Sequence, residues 1–547
     1  TITGLNLSGS KYQALFGYAY NATIKNLTVY GKVTDTSPAS TIEVYAAGIV
    51  GALAGTSTVE NVKSYVNVTT ALTGTVSTQV VGGLIGKAGC ISTNSANPDT
   101  ISIINCHAYG TVKSGRGAGS LIGVASLEGV ETSLATQNPV ININNCTSNG
   151  EVAYYSGSTF GQSGGLIGSL YIQTAINYQV NITNCINNAT VTNGGADGKS
   201  RVGGIIGWIR GESAVASAGG VINIINCINT GKITGAGAVG GIVGYASFIY
   251  REDLILNIDD CINYATITSL GTSGSGAGIV GNASGGIINI DGCANSGMVN
   301  SYGPGSGGIF GTGAKHARSP VLTVTITDSA NYTEIIGTTD IGGILGKSSH
   351  PATIRRCFNS GLQSATSSGA IVTAAVSHTL ENNCYTAGTD NGSGTRLNSA
   401  QAADPASYTG FDFDSVWLIA SSGPRLRAFI QTNLVGTAIR TTGEQGLRFK
   451  AEIHKAPQAP ETYTVKEYGI LIKLADNEND LAYFTTIDYN NNYNENKIGK
   501  GVAYCASDGT DYRFSDNGIT VQFTSVLINI DAPHYETDFT YRSYVVF

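Results

Sequence analysis

The chain has 547 residues, more than one compact hydrophobic core usually holds, so several domains or an elongated repeat array are expected. Glycine contributes 73 residues, charged residues only 12% and apolar residues 41%, which excludes a disordered chain and favours strands and turns. The net charge of −7, without any run of Lys or Arg, excludes the electrostatic signature of a nucleic-acid-binding protein.

A repeated element of the form Ile-x-Ile-x-Asn-Cys-x-Asn-x-Gly-x-Ile organises the first 390 residues, for example at 141–152 and 222–233. We number each copy from its Cys position, which we call the zero slot. Eleven copies fill this slot with Leu27, Val62, Cys106, Cys146, Cys185, Cys227, Cys261, Cys293, Ser329, Cys357 and Cys384. The interval varies from 27 to 44 residues, so the repeats carry loops of different length.

Two columns of the repeat contain β-branched residues in all but the last one or two of the eleven copies. The residue three positions before the zero slot is Ile or Val in ten copies, and the residue six positions after it is Ile or Val in nine. Such columns suit a parallel β-solenoid, in which identical side chains stack inward from coil to coil. Helical repeats need apolar spacings of three and four and few glycines. The sequence therefore predicts an all-β fold, a parallel β-solenoid of about eleven coils.

Two further columns favour this fold. A Gly-Gly-apolar-apolar-Gly element lies between zero slots, as at 82–86 and 240–244, and predicts a short buried strand bounded by tight bends. Two positions after the zero slot, six consecutive copies carry Asn187, Asn229, Asn263, Asn295, Asn331 and Asn359. Stacked amides hydrogen-bond along an array, so we expect an asparagine ladder.

The alternation of these two elements resembles the GLUG-motif repeat proteins of bacterial cell surfaces, over residues 1 to about 430. The segment 399–429, within a closing region predicted at 385–430, is similar to the sequence that ends such arrays in that family. Its Phe411, Phe413 and Trp417 are available to cover the last coil. The resemblance implies a secreted or wall-attached bacterial protein, often adhesive, whose repeats form a scaffold. It implies no catalytic residues.

A second domain is predicted at 431–547, where the composition changes. This region has 25 charged residues in 117, against 42 in the first 430. Runs such as 446–453, 463–474 and 519–530 are typical of strands, and no helical period is visible. We predict a small antiparallel β-sandwich. It resembles a module found at the ends of surface proteins from Gram-positive anaerobes.

The ten Cys residues are interpreted as structural. Leu27, Val62 and Ser329 replace Cys in the zero slot, which neither a set of metal ligands nor a disulfide framework would allow. Stacked coils also place equivalent Cβ atoms about 4.8 Å apart, beyond the ~3.5–4.5 Å of a disulfide. We expect free, buried thiols in this column, and we leave Cys90 and Cys505 unassigned.

A polysaccharide lyase or hydrolase is the alternative to a scaffold, because its chemistry needs carboxylates on neighbouring coils. The local candidates are Asp253, Asp259, Asp260, Asp291 and Asp328. Two of them, Asp260 and Asp328, occupy the slot before zero that Asn fills in six other copies. Replacement of Asn by Asp at a corner is therefore the preferred interpretation.

No catalytic, cofactor-binding or metal-binding residue is predicted. Asp476, Glu478 and Asp480 begin like a calcium loop, but Leu481 stands where that loop needs Gly. The six His residues fall singly, without the spacing of paired metal ligands.

The predicted function is a non-enzymatic, extracellular bacterial surface scaffold or adhesin that presents loops and a terminal module. Expected partners are a host or matrix glycan or protein, neighbouring surface proteins, or further copies of the chain; nucleic acid is not expected. No stretch of about 18 apolar residues predicts a transmembrane helix. The start, TITGLNLSGS, predicts a mature or excised fragment that begins within a coil. Ice binding is disfavoured, because it needs a flat, regular Thr face.

Overall fold

The computed structural model describes residues 1–37, 44–70, 79–90, 98–115, 117–127, 136–154, 161–172, 175–194, 198–211, 219–248, 254–314, 321–373, 378–420 and 422–429. Beyond residue 431 it describes the backbone of seven strands. The chain divides into two compact units, Thr1–Leu426 and Arg427–Phe547. Within the described segments, no helix has the length and hydropathy that a membrane span requires.

The first unit is a parallel β-solenoid, as predicted. Most coils cross three parallel sheets in the same order, which we call sheets A, C and B. In one central coil, sheet A comprises Gly220–Ile225, Ile228–Asn229 and Ile233–Gly235, sheet C comprises Ala238–Gly240 and sheet B comprises Val243–Ser247. Each of these strands pairs in parallel with the equivalent strands of the coils before and after it.

Sheet A begins with three long strands, Ile2–Gly9, Thr23–Asp35 and Ser57–Thr70. Later coils contribute up to three short strands. The first of these are Thr100–Ile104, Val140–Asn144, Tyr178–Thr183, Gly220–Ile225, Ile255–Asp259, Gly286–Asp291, Leu322–Thr327, Ala352–Arg355 and Thr379–Glu381. The second are His107–Ala108, Thr147–Ser148, Ile186–Asn187, Ile228–Asn229, Ile262–Asn263, Ala294–Asn295, Ala330–Asn331, Phe358–Asn359, Cys384–Tyr385 and Thr395–Arg396. The third are Val112–Ser114, Glu151–Tyr154, Thr190–Asn193, Ile233–Gly235, Ile267–Ser269, Val299–Ser301, Ile335–Ile336 and Gln363–Ser364.

The other elements of this unit are shorter. Sheet C contains Val44–Ala47, Gln79–Gly82, Gly117–Gly119, Gln162–Gly164, Arg201–Gly203, Ala238–Gly240 and Ser275–Ala277. Sheet B contains Phe16–Tyr20, Val50–Ala54, Ile85–Cys90, Ile122–Leu127, Ile167–Ile172, Ile206–Gly211, Val243–Ser247, Val280–Ser284, Phe310–Gly313 and Leu345–Ser348. The remaining elements of this unit are the strand pairs Thr136–Gln137 with Ala175–Ile176, Ile341–Gly342 with Ser368–Gly369 and Trp417–Ala420 with Gly423–Leu426, the helix Ser399–Ala402 and the 3-10 turn Pro405–Ser407. A second 3-10 turn, Arg427–Phe429, begins the second unit.

The apolar columns predicted from the sequence are the columns of the core. Ile224 is the direct register partner of Ile182 and Ile258, and all three are fully buried. The column six positions after the zero slot stacks in the same way. Burial of one such side chain contributes about 1.5–3 kcal/mol. The stacked β-branched residues therefore hold neighbouring coils in register.

The last copy of the repeat is displaced by one residue from the predicted alignment. Cys384 is the register partner of Phe358, so Asn383 occupies the zero slot, and the interval from Cys357 is 26 residues. The Oδ1 of Asn383 accepts from Cys357 N at 3.0 Å, and its Nδ2 donates to Ile354 O at 2.9 Å. The assignment of Cys384 to this column was therefore wrong. In this coil, the side-chain amide of Asn383 forms hydrogen bonds with the buried backbone groups that a Cys thiol contacts in other coils.

The nine described cysteines are free and buried, as predicted for the column. The Sγ of Cys261 lies 3.4 Å from Ile224 O of the preceding coil and 3.3 Å from Asp259 O of its own coil, and either carbonyl can accept its proton. The same Sγ accepts a hydrogen bond from Cys227 N at 3.4 Å. Cys90, outside the column, is also buried, with its Sγ 3.6 Å from Val140 O. Cys505 lies outside the described residues.

Each coil turns at the residue before the zero slot, where the backbone is left-handed. The φ angle there is 51° to 56° at Asn26, Asn61, Asn105, Asn145, Asn184 and Asn226. It is 49° at Asp260, 43° at Asp328 and 49° at Arg356. Asn and Asp tolerate this conformation because their short polar side chains hydrogen-bond locally. Asp260 and Asp328 thus have the left-handed corner conformation that is expected if each replaces Asn.

The predicted asparagine ladder is present. From Asn187 to Asn359, the Nδ2 of each Asn donates to the Oδ1 of the Asn in the next coil at 2.7–2.9 Å. All six residues are fully buried. Five of the six side chains also form a hydrogen bond with the backbone of their own coil, as where Ala265 N donates to Asn263 Oδ1 at 3.2 Å. Buried amides are costly unless they are hydrogen-bonded, so the ladder fixes the stacking of the coils.

The second Gly of each Gly-Gly element makes room for this ladder. A Cβ added to Gly241 would lie 2.6 Å from the Cβ of Asn263 and 2.0 Å from Gly278 O. A Cβ added to Gly204 would meet Asn229 at the same distance of 2.6 Å. The glycines are therefore required by the close approach of sheet C to the buried amides.

A second asparagine ladder was not predicted. It lies four residues before the zero slot, on the outer face of sheet A, and contains Asn142, Asn181, Asn223, Asn257 and Asn289. In this ladder each Nδ2 donates to the Oδ1 of the preceding coil, at 2.9–3.0 Å. The two ladders therefore run in opposite directions along the array.

The closing segment covers the last coils with aromatic side chains. Trp417 is fully buried, and its Nε1 donates to Asp328 Oδ1 at 3.1 Å. The ring centroid of Phe411 lies 5.0 Å from that of Trp417, and the ring of Tyr408 lies 6.1 Å from Phe358. These contacts shield the apolar end of the core from water.

The second unit contains two antiparallel sheets. One comprises Thr432–Arg440, Gly446–His454, Phe514–Asp516 and Thr520–Ile528, and the other Glu467–Leu474, Ile498–Val502 and Phe539–Val546. All pairings within them are antiparallel. This arrangement is that of the predicted small β-sandwich. Asp476, Glu478 and Asp480, which begin like a calcium loop, lie outside the described residues.

Candidate functional site

Three of the five candidate carboxylates meet on the outer face of sheet A. Asp259 and Asp291 are register partners at the ends of adjacent strands, and Asp260 follows at the corner. The Oγ1 of Thr327, one coil further on, donates a hydrogen bond to Asp291. Asp253 lies outside the described residues. The register thus places Asp259 and Asp291 side by side on neighbouring strands, whose backbones lie about 4.8 Å apart.

Burial and mutual repulsion alter the proton affinity of this group. Loss of hydration, followed by the charges of Asp291 and Asp260, raises the pKa of Asp259 to about 6. Burial and the charge of Asp291 also raise the pKa of Asp260. A carboxyl group with a pKa near 6 exchanges protons close to neutral pH, as a general acid or base must. In the described part of the chain, no three His, Cys, Asp or Glu side chains are grouped to hold a metal ion.

Asp328 does not belong to this group, although it follows in the same corner column. Its carboxylate accepts hydrogen bonds from Arg356 Nε at 2.9 Å and from Trp417 Nε1 at 3.1 Å. The hydrogen bond that Arg356 donates to Asp328 raises the pKa of Arg356, which therefore stays charged. Asp328 joins the last coils to the closing segment.

Trp208 is not an open aromatic platform. Only 7% of its surface is exposed, because the guanidinium groups of Arg201 and Arg210 lie 4.3 and 4.9 Å from its ring. The ring of Tyr171 packs edge-on against it at 5.9 Å. These cation–π and aromatic contacts cover the indole and leave no open face for a ligand.

Three tyrosines form a ladder on the outer face of sheet A in the first coils. Tyr30, Tyr65 and Tyr109 each follow the zero slot by three residues. Their rings stack with centroids 4.5 and 4.3 Å apart and interplanar angles of 9° and 3°. Burial, followed by Tyr65, raises the pKa of Tyr109. The shared offset of the three tyrosines from the zero slot could have indicated this ladder from the sequence alone. It was missed because the strand propensity of Tyr explains their presence equally well.

Exposed aromatic side chains concentrate in the same part of the solenoid. The exposed fractions are 37% at Tyr12, 42% at Phe16, 58% at Tyr18, 54% at Tyr20 and 41% at Tyr30. Tyr18 and Tyr20 flank Ala19, which packs against the core, so their rings point outward. Phe16, Tyr18 and Tyr20 lie on one strand of sheet B, whereas Tyr30 lies on sheet A. Exposed apolar patches mark interaction sites in soluble proteins. The first coils therefore offer the strongest candidate surface for recognition.

Comparison of the chain with protein-family models, curated proteins and solved structures finds no match. The resemblance to GLUG-motif proteins therefore stays a prediction. Function is inferred from the two surfaces described above, the aromatic surface of the first coils and the group of three carboxylates.

Proposed function

We propose that this chain is a non-enzymatic scaffold or adhesin of a bacterial cell surface, of the GLUG-motif type. The solenoid favours this proposal because it can serve as a rigid scaffold. Hydrogen bonds between buried amides and packing of β-branched side chains connect each central coil to the next. Solenoids present long surfaces for binding, and terminal modules attach or extend them. Partners would be matrix glycans, matrix proteins or neighbouring surface proteins.

The observation that carries the proposal is the exposed aromatic surface of the first coils. Tyr18 and Tyr20 lie more than half exposed on one strand, next to the exposed Phe16. Aromatic rings bind both protein and sugar surfaces with little loss of side-chain entropy. An adhesin needs such a surface, whereas a scaffold that binds nothing would gain solubility from polar residues there.

The experiment is a binding array of glycans and matrix proteins, probed with the full-length chain. We expect binding to at least one class, and a strong reduction in the double variant Tyr18→Ser/Tyr20→Ser. The matched control is Leu270→Ser, which removes an apolar side chain that is 50% exposed in another coil. Absence of binding to every glycan and protein would refute the adhesive function.

A polysaccharide-active enzyme is the second candidate, and Asp259 and Asp291 favour it. Retaining glycosidases use two carboxyl groups about 5–5.5 Å apart as acid and nucleophile, and Asp259 and Asp291 are register partners on adjacent strands. The raised pKa of Asp259 would suit the acid. Such an enzyme would cleave a chain lying along the outer face of sheet A.

An assay for reducing ends or unsaturated products, with acidic and neutral polysaccharides, separates the two candidates. We expect no turnover from the native chain. We also expect Asp260→Asn to leave stability and binding nearly unchanged, because Asn has the same corner conformation in six other coils. Turnover that disappears in Asp259→Asn would instead establish the enzyme.

A further inference from the structure

Exposed apolar side chains also gather on the outer face of sheet A, far from the first coils. After Tyr30, the described part of the chain exposes six large apolar side chains. Five of them lie on or directly beside the third strands of four successive coils: Leu270, Met298, Tyr302, Ile336 and Leu362. Their exposed fractions range from 37% to 60%, while the residues between them in each strand are buried, so these side chains point outward.

The strand register brings four of these side chains together in a patch. Met298, Glu334 and Leu362 stack in one outward column, because the residues that follow them are register partners. Ile336 lies in the next outward column, two residues along the strand from Glu334, and Tyr302 lies one column further in the coil of Met298. Coils are about 4.8 Å apart and outward residues about 7 Å apart, which places Ile336 about 8 Å from Met298, Leu362 and Tyr302. We call these four residues the apolar patch.

The apolar patch and its surroundings carry almost no charge. Three columns in three coils give nine outward positions, and eight of them are uncharged: Met298, Asn300, Tyr302, Ile336, Thr338, Leu362, Ser364 and Thr366. The ninth is Glu334, whose carboxylate accepts a hydrogen bond from Ser364 Oγ at 2.9 Å. Depletion of charge around Met and Tyr is typical of the centre of a protein–protein interface. Aliphatic side chains dominate the patch, which favours a protein rather than a sugar as its occupant.

We propose that the apolar patch joins two copies of this chain face to face, about a two-fold axis parallel to the solenoid axis that passes between the two Ile336 side chains. This rotation keeps each coil at its own level and exchanges the two outer columns. It sets Ile336 against the partner's Ile336, and Met298 against the partner's Tyr302, which is a favourable thioether–aromatic contact. It also sets Glu334 against the partner's Thr338, whose hydroxyl group can donate a hydrogen bond to the carboxylate.

A second copy suits the patch better than the alternatives do. The outer face of a β-sheet is flat, and two such faces pack about 10 Å apart. A two-fold axis along the strands would instead set Glu334 against the partner's Glu334, and like charges would repel each other. The nine positions cover only about 300 Å², against the ~800 Å² per partner of a stable complex, so we expect a weak dimer with a Kd on the order of 10–100 μM.

The first test is sedimentation equilibrium of the full-length chain and of two charged variants. Ile336→Glu and Ile336→Lys each place two like charges on the two-fold axis, and each should raise the dimer Kd at least about tenfold. An equal mixture of these two variants should associate again, because Glu then faces Lys. The matched control is Val321→Glu, at a side chain that is 61% exposed in another part of the solenoid; it should leave the dimer Kd within about twofold. Unfolding midpoints confirm that each variant is folded.

Met298 supplies an independent measurement, because it is the single Met of the chain. Hydrogen peroxide oxidises an exposed thioether to the sulfoxide, and peptide mass spectrometry gives the rate at this residue. We expect this rate to fall as the concentration of the native chain rises, and to stay constant in Ile336→Glu.

The outcomes leave this inference separate from the adhesive function, which depends on the first coils and is measured with dilute chain. A native chain that remains monomeric at concentrations up to about ten times the expected Kd would overturn the inference. Dimers that persist in Ile336→Glu, or a mixture of the two charged variants that stays monomeric, would overturn it too. Loss of glycan or matrix-protein binding in Tyr18→Ser/Tyr20→Ser, with the dimer retained, is the expected result if both proposals hold.

Discussion

Replacement of Asn263 by Ala is expected to be among the most destabilising single changes in the solenoid. The side chain is fully buried and makes four hydrogen bonds. Its Nδ2 donates to Ala265 O and Asn295 Oδ1, both at 2.8 Å, and its Oδ1 accepts from Ala265 N at 3.2 Å and Asn229 Nδ2 at 2.7 Å. At about 1 kcal/mol for each bond, the loss is about 4 kcal/mol, a large part of the stability of an ordinary domain.

The isosteric variant Asn263→Asp separates hydrogen bonding from packing. The new carboxyl group keeps the acceptor but, when ionised, places a charge where the amide donated. Burial would raise its pKa in the folded state above the unfolded value of about 3.9. Its contribution to stability is then complete below about pH 4 and is lost as the pH rises through the folded pKa. Asn263→Asp should therefore lose only about 1 kcal/mol in acid, because the protonated carboxyl group donates one hydrogen bond where the amide donates two, and it should be severely destabilised at neutral pH.

Denaturant unfolding of each full-length variant measures these effects, and hydrogen exchange locates them. We expect protection to be lost first in the coils on either side of residue 263. The control is Asn188→Ala, an exposed amide whose loss should cost less than about 1 kcal/mol. A loss below about 1 kcal/mol for Asn263→Ala would refute the view that the buried ladder stabilises the array.

Other predictions follow from single contacts. Gly241→Ala should destabilise by several kcal/mol or force the coils apart, because its methyl group would lie 2.0 Å from a carbonyl oxygen of the next coil; unfolding midpoints measure this. Ser148→Asn alone should lower the unfolding midpoint, because Ser120 stands where later coils have the Gly that makes room for Asn. The double variant Ser148→Asn/Ser120→Gly should raise the midpoint, because it has both the Asn and the Gly of later coils. Asp259 has a raised pKa near 6, so its contribution to stability is present below about pH 4 and lost as the pH rises through 6; Asp259→Asn should flatten this dependence in pH-dependent melting curves. Burial raises the pKa of Cys357 to about 12, so its thiol should resist labelling at neutral pH until the chain unfolds, as mass spectrometry would detect.

The repeating core could be predicted because each coil contacts the next at the same place. Ile224 and Asn229 occupy fixed offsets from the zero slot, and a sequence offset becomes a spatial column when the coils stack in register. The alignment failed at Cys384 because Asn383 performs the same hydrogen bonding with a different side chain. Asn383 and Cys384 are adjacent and both suit a buried slot, so only the pairing of strands shows which of them occupies the zero slot.

The surface features were predicted less completely. Asp259 and Asp291 share an offset, so their proximity could be expected, but the raised pKa of Asp259 depends on burial that no spacing reports. The burial of Trp208 depends on Arg201, which comes from a different sheet of the same coil. The ring stack that ends at Tyr30 needs the outward direction of three side chains as well as their shared offset.

The buried amide ladder gives the array a simple route to changes in length. Between Asn187 and Asn359, every boundary between coils is crossed by the same bond, from one carboxamide to another. Genetic duplication or deletion of one complete repeat would therefore rejoin a donor to an acceptor of the same kind. Coil number is thus free to evolve in whole steps, while the connecting loops diversify independently.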